Sequence, residues 1–267
     1  MKKLELVKVE HIVKIGDFCG DKEPNVTEDC VFYEDGKPVG FFMRDIKAKL
    51  KTYVNIANAE LLSNRVPKSE MRRSSGMTNK ENEVKQYSTI IGSCPPKPHM
   101  KRPYPAISSV HQVPTARNFI KAMLLACKEA EGLIKEILPD LYEEQKRIIS
   151  ESVPEQFRFS ELFTSSISNF NISAPFHRDA GNLIGCANVI ITKKRNARGG
   201  NLHIPDYDAT IDSKNNSLLV YPAWKNMHGV TPIHTTQEDG YRNSLVFYPL
   251  KAFKTKVKES FEYHTRD

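Results

Sequence analysis

The stretch SAPFHRDAGN, beginning at Ser173, sets His177 and Asp179 one residue apart and places Asn182 just beyond, next to Gly181. On an extended chain an imidazole and a carboxylate at that spacing project to the same side and can share one metal ion. The pair alone also fits an ordinary surface turn. A second stretch, YPAWKNMHGVTPI, shifts the balance: His228 follows a short apolar strand and precedes a glycine, so it offers a third ligand from a separate strand. Two histidines and one carboxylate with coordination positions left open make the facial triad of non-haem Fe(II) oxygenases.

Fourteen residues beyond His228 lies Arg242, in YRNSLVFYPL, with Ser244 on the same side of a predicted strand. A cosubstrate ending in a carboxylate needs a partner that stays charged and binds as a bidentate fork, which arginine supplies and lysine does not. Taken singly, Arg242 fits a surface arginine. Taken in order with the H-x-D pair, the glycine turn and H-G-V, R-x-S looks like the 2-oxoglutarate handle of an iron dioxygenase jelly roll.

FHRDAGN, NMHGVTP and RNSLVFY together resemble the TET/JBP branch of the 2-oxoglutarate and Fe(II)-dependent dioxygenases, with the specific likeness running from about Ser173 to Leu250. The resemblance implies Fe(II) held by His177, Asp179 and His228, 2-oxoglutarate held by Arg242 and Ser244, and O2 as the oxidant. It further implies a double-stranded β-helix and hydroxylation of the 5-methyl group of a pyrimidine, 5-methylcytosine or thymine, flipped out of DNA. Asn182 would then face the target base and Tyr248 would stack on it. On the residues alone, Asn182 also fits a turn residue of the glycine loop and Tyr248 a buried strand tyrosine. The family's enzymes acting on 5-methylcytosine commonly carry a base-contacting histidine two residues beyond that aromatic; this chain has Leu250 there, which leaves the choice of methylated base open.

A strand-rich C-terminal half must position these groups. RFSELFTSSISNF, CANVIITK, GGNLHI, SLLVYP, HGVTPI and RNSLVFYPL are short strands broken by turns, as in a sandwich or jelly roll. Before them, EDGK is a hairpin turn between two strands. Residues 45–63 show helical spacing at Ile46, Leu50, Val54, Ala57 and Leu61, with Asp45 as the expected N-cap. The longest helix is predicted from Thr115 to Leu138, ending before Pro139, with Phe119, Met123, Cys127, Ala130, Ile134 and Ile137 as its core stripe. The expected fold is therefore α+β: a jelly-roll core over residues 153–267, with an N-terminal hairpin, helices and a basic loop in residues 1–152 packed on it.

Composition bounds the partners. The 267 residues, 39% hydrophobic, suffice for one sizeable core without disulfides. Cys19, Cys30, Cys94, Cys127 and Cys186 are scattered and form no C-x-x-C pair, which argues against a zinc ribbon and for a reducing compartment. No apolar run approaches the roughly 20 residues that cross a bilayer, and the N-terminus is too charged for a signal peptide. A soluble, intracellular, monomeric protein is expected.

The net charge is +7. Between Lys68 and Arg102 eight basic residues face three acidic ones. Arg72, Arg73, Lys97, Lys101 and Arg102 in that segment are candidates for the nucleic-acid backbone, although such a cluster also fits a solvated loop. His203 and the remaining histidines receive no role. Two other functions share parts of this pattern: a 2-oxoglutarate/Fe(II) hydroxylase of a small molecule or protein side chain, and a non-catalytic nucleic-acid-binding jelly roll. An intact triad together with Arg242 argues against the second.

Overall fold

The computed structural model describes residues 1–70, 86–97 and 103–253. Its elements run in the order β1 (Lys2–Glu5), β2 (Cys30–Glu34), β3 (Lys37–Met43), α1 (Ala48–Leu62), β4 (Ser69–Glu70), β5 (Tyr87–Cys94), β6 (Ala106–Ile107), α2 (Arg117–Ile137) and α3 (Pro139–Ser152). There follow β7 (Ser165–Phe170), β8 (Ala174–His177), β9 (Asn188–Arg195), β10 (Ala197–Gly199), β11 (Leu202–Ile204), β12 (Ala209–Ile211), β13 (Ser217–Tyr221), β14 (His228–Val230), β15 (Ile233–Thr235) and β16 (Tyr241–Tyr248).

A large sheet runs β1-β2-β3-β13-β9-β16-β7-β5-β4, with β6 paired to β5, and a smaller one runs β12-β11-β14-β8. The two sheets form the double-stranded β-helix expected of the sequence, and strands from the N-terminal half are stitched into the larger one. The β2–β3 turn holds Asp35 at φ 51° and Gly36 at φ 71°. That pair of positive angles suits a tight hairpin, which is why E-D-G-K was legible as one.

Period two along the central strands separates two interiors. On β13, Leu218 and Val220 join the cluster under the helices, while Leu219 and Tyr221 turn to the space between the sheets. On β16, Leu245 and Phe247 face α1 and α2, whereas Arg242, Ser244, Val246 and Tyr248 line a cavity on the opposite face. The helix-side core also takes Leu50 and Val54 from α1 and Phe119, Met123, Cys127 and Ile134 from α2, as their spacing predicts.

Two features depart from the sequence expectations, and a third lay outside them. Asp45 does not cap α1: the helix starts at Ala48 with Lys47 in the cap position, and the Asp45 carboxylate accepts from Lys51 Nζ at 2.8 Å instead. Pro139 does not only end α2. It also opens α3, because the first turn of a helix needs no proline N–H. On α3 the fully buried Gln145 binds Leu162 O, Ala187 O and Ala187 N, which anchors the chain just before β9. Finally, the edge of β8 is covered by the N-terminal segment, where Gly16 N and Asp17 O bond to Phe176.

All five cysteines are buried. No helix among the described residues is long and apolar enough to cross a membrane.

Candidate active site

β8 and β14 are neighbours in the small sheet, and their register sets His177 directly opposite His228. The two rings lie 4.4 Å apart, centroid to centroid. Asp179 joins them by a route other than the one the spacing suggested. β8 ends at His177, so the carboxylate is placed by a turn, tied down where Asp179 N donates to Ala223 O at 3.0 Å. Potential ligand atoms of the three residues all lie within 4.8 Å of one another.

The atoms turned away from this gap are held. His177 Nδ1 bonds to Pro175 O at 2.7 Å and His228 Nδ1 to Asn226 O at 3.1 Å. A carbonyl can only accept, so both rings carry hydrogen on Nδ1 and turn Nε2 away from it. Tyr221, buried edge-on against His228, donates its hydroxyl to the same Asn226 carbonyl at 3.1 Å. Asp179 Oδ2 accepts from Asn188 Nδ2 at 2.8 Å, which leaves Oδ1 on the histidine side, 3.7 Å from His177 Nε2. Burial, and secondly the neighbouring His177, push the His228 imidazolium down to about 4, so the ring is neutral and able to ligate.

At the other end of the same cavity, whose volume is about 490 Å³, sits Arg242. It is 3% exposed. Its Nη1 donates to Ser244 Oγ at 3.1 Å, its Nε is buried with no partner, and no carboxylate pairs with it among the described residues. Burial pushes the guanidinium down to about 10. Gly200, at φ 67°, lets the backbone close over it: a Cβ there would stand 3.2 Å from Arg242 Cδ and Nε. Across the strand pair stands Lys194, whose ammonium is pushed to about 8 by burial and then by Arg242. A buried fork without a counter-ion, beside a hydroxyl and a second cation, fits the terminal carboxylate of a dicarboxylate.

Asn182, Tyr248 and Leu250 also line the cavity, and Asn182 and Leu250 are bridged through their backbones. Burial raises the Tyr248 phenol well above its ordinary range, so it stays protonated. Every candidate for metal, cosubstrate and base thus borders one space. Lys97 is partly buried and is not among the lining residues; Arg72, Arg73, Lys101 and Arg102 lie outside the described residues.

Sequence reasoning missed three polar lining residues. Asn188 partners Asp179, Asn169 stands directly across from Ser244 on β7, and Arg178 is exposed between the two H-x-D residues. Alternation along β7 and β16 could have found Asn169. Partners also emerge for histidines that had none: His203 with Thr210, His11 with Asp206, His234 with Asp21, and His111 with the Gly92 N–H.

The family model Tet_JBP, the oxygenase domain of the 2OGFeDO superfamily, matches residues 98–251, which hold the whole donor set and the arginine strand. A double-stranded β-helix with this site defines a 2-oxoglutarate/Fe(II)-dependent dioxygenase, using Fe(II), 2-oxoglutarate and O2. Within that class the chain belongs to the Tet_JBP family. Among solved structures, NgTET1 in complex with 5mC DNA shares the fold at TM-score 0.58 and 12% identity, covering 94% of this chain and 90% of that one. An oxidoreductase of the 2OG-Fe(II) oxygenase family from Burkholderia pseudomallei matches at TM-score 0.44 and 12% identity, covering 80% and 86%. No curated protein sequence matches the chain.

Proposed function

We propose that the enzyme hydroxylates the 5-methyl group of a pyrimidine, 5-methylcytosine or thymine, in DNA, taking the base out of the helix into the cavity. The observation that carries this reading is the single space bordered by His177, Asp179 and His228, by Arg242 and Ser244, and by Asn182 and Tyr248. Membership of the Tet_JBP family and a shared fold with a protein solved on 5mC DNA support it.

In this reading His177 Nε2, His228 Nε2 and Asp179 Oδ1 hold the iron, and Arg242 with Ser244 holds the far carboxylate of 2-oxoglutarate. When bound, iron and cosubstrate supply the oxidation that turns a methyl C–H into C–OH. The chain's own residues orient and exclude. Backbone carbonyls fix both imidazoles, Asn188 fixes the carboxylate, and Ile167, Ile190 and Val246 give the floor between the two ends an apolar surface that sheds water.

A methyl inside a base stack cannot reach a site walled by two sheets, so a duplex substrate must be flipped. Tyr248 offers the ring on which the base stacks, and Asn182 the amide that meets its edge. Arg72, Arg73, Lys97, Lys101 and Arg102 are assigned to phosphates, which would make binding salt-dependent.

The test is succinate release with Fe(II) and 2-oxoglutarate, with and without DNA containing 5-methylcytosine and thymine, followed by mass spectrometry of the nucleosides. Hydroxymethyl product together with DNA-stimulated succinate is the expected result. Turnover that needs no nucleic acid would point to a small-molecule or protein-side-chain hydroxylase.

A further inference from the structure

Along β2, period two turns Cys30, Phe32 and Glu34 to the interior, where Cys30 and Phe32 join the apolar cluster between the sheets. Glu34 ends that row as a carboxylate only 8% exposed. A buried charge costs stability unless it is paired and hydrogen-bonded. Glu34 meets both conditions with groups from distant parts of the chain: Tyr207 OH donates to its Oε1 at 2.6 Å, and Lys225 Nζ donates to its Oε2. Tyr207 also stands beside Asn226, its hydroxyl 3.5 Å from Asn226 Oδ1.

Lys225 belongs to the turn between β13 and β14, and that turn supports two of the three candidate ligands. Ala223 O accepts from Asp179 N at 3.0 Å, and Asn226 O accepts from His228 Nδ1 at 3.1 Å. Lys225 lies between these two carbonyls in sequence. A shift of the turn would therefore move Asp179 and re-aim His228 together, while His177, held by Pro175 O, would keep its place. From within, the turn is held by Ala223 N on Tyr221 O, Lys225 N on Pro222 O and Tyr221 OH on Asn226 O. From outside, the Glu34 carboxylate ties it to the N-terminal hairpin through a charge-assisted bond.

We propose that Glu34 is a positioning residue of the metal centre: by gathering Lys225 and Tyr207 it fixes the β13–β14 turn, whose Ala223 and Asn226 carbonyls aim Asp179 and His228. The proposal rests on the assignment of His177, Asp179 and His228 as the ligands. Glu34 itself bonds to none of the three, and it lies outside residues 98–251, where the family model matches. The hairpin of β2 and β3 is thereby part of what shapes the metal site.

The test is Co(II) titration of the full chain, reading the dissociation constant and the visible absorption bands, which report the arrangement of ligands round the ion. Glu34→Leu removes both bonds and completes the apolar row. It should shift the bands and weaken Co(II) binding by about tenfold, the low end for residues that orient ligands. Glu34→Gln keeps an oxygen that can accept from Tyr207 or Lys225, so it should show wild-type bands and bind within about threefold of wild type. Phe32→Leu disturbs packing on the same face of the same strand. It should lower the unfolding temperature and leave Co(II) affinity and bands unchanged.

A folded Glu34→Leu protein with wild-type affinity and bands overturns the proposal. A loss of affinity in Phe32→Leu equal to that in Glu34→Leu does so too, because packing would then account for both. Wild-type affinity in Asp179→Ala overturns the ligand assignment, and the positioning role with it. Should Glu34→Leu fail to fold, Lys225→Met carries the test, since that side chain is 41% exposed. It cuts the same link and should also weaken Co(II) binding by about tenfold, and an unchanged constant there overturns the proposal.

Discussion

At one end of the cavity His177 Nδ1, His228 Nδ1 and Asp179 Oδ2, the atoms facing away from the gap, each have a protein partner at 2.7–3.1 Å; at the other, Arg242 is buried with one hydroxyl beside it and its Nε unmatched. The first arrangement is finished without a ligand. Its donors are neutral or accept-only, and their orientation costs nothing when an ion arrives. The second carries an uncompensated positive charge, with Lys194 opposite. The protein is thus preorganised at the end proposed for the metal, and electrostatically unsatisfied at the end proposed for the dianion.

The contrast is broken most directly at the finished end. On the proposed assignment His177→Ala and Asp179→Ala each remove a ligand rather than a support, so the loss should exceed the roughly 10- to 100-fold cost of an outer partner and reach on the order of 10³-fold or more in turnover. Succinate release and Co(II) binding should fall together, while thermal unfolding stays cooperative, since both side chains are only partly buried. A variant that still binds Co(II) as wild type does would remove that residue from the ligand set.

A middle-sized effect is expected at the unfinished end, and it has two signs. Arg242→Ala should raise the 2-oxoglutarate requirement by about 10- to 100-fold, the worth of hydrogen bonds to a charged group. Arg242→Lys should recover little, because a point charge does not reproduce a planar fork. Without ligand, however, Arg242→Met should leave the protein at least as stable as wild type, by up to about 1–4 kcal/mol, since a buried unpaired charge is replaced by an apolar stem. Thermal unfolding with and without 2-oxoglutarate separates the two: the wild type should gain on addition and the Met variant should not. A destabilised, ligand-free Met variant would mean that the guanidinium is already satisfied.

The legibility of the two ends differs for a physical reason. His177, Asp179, His228, Arg242 and Ser244 could be picked out as candidates because they stand in one order on successive strands, and the fold brings all five to one cavity. The hairpin at Asp35 and Gly36 and the stripes of α1 and α2 were readable because local φ and helical period determine them. Asn188 was not, because its bond to Asp179 closes a loop whose path depends on Gln145 of α3, a helix itself hidden by Pro139. Asn182 was legible as a pocket residue, but its bond to Asn188 was not. Asp45 looked like a cap until Lys51 claimed its carboxylate. Chemistry carried by residue type survives in the sequence, and chemistry carried by a long-range partner does not.

The smallest expected effect concerns Lys194, which donates to Gly199 O at 2.7 Å beside the buried arginine. Burial, and then the charge of Arg242, lower its ammonium from the ordinary 10.5 to about 8. Between those values the unfolded chain binds more protons than the folded one, so stability rises with pH. The penalty for holding the charge is fully present below about 8 and is gone above 10.5. Because the side chain keeps some contact with solvent, its size is about 1 kcal/mol. Thermal unfolding of ligand-free wild type should therefore become more favourable to the fold from pH 8 upward, and Lys194→Met should flatten that rise. Saturating 2-oxoglutarate should flatten it too, because a dianion beside Arg242 offsets the field that expels the proton. Equal slopes in all three samples would mean that Lys194 keeps its proton and is solvated independently of Arg242, and the far end would then hold a single unmatched cation rather than a coupled pair.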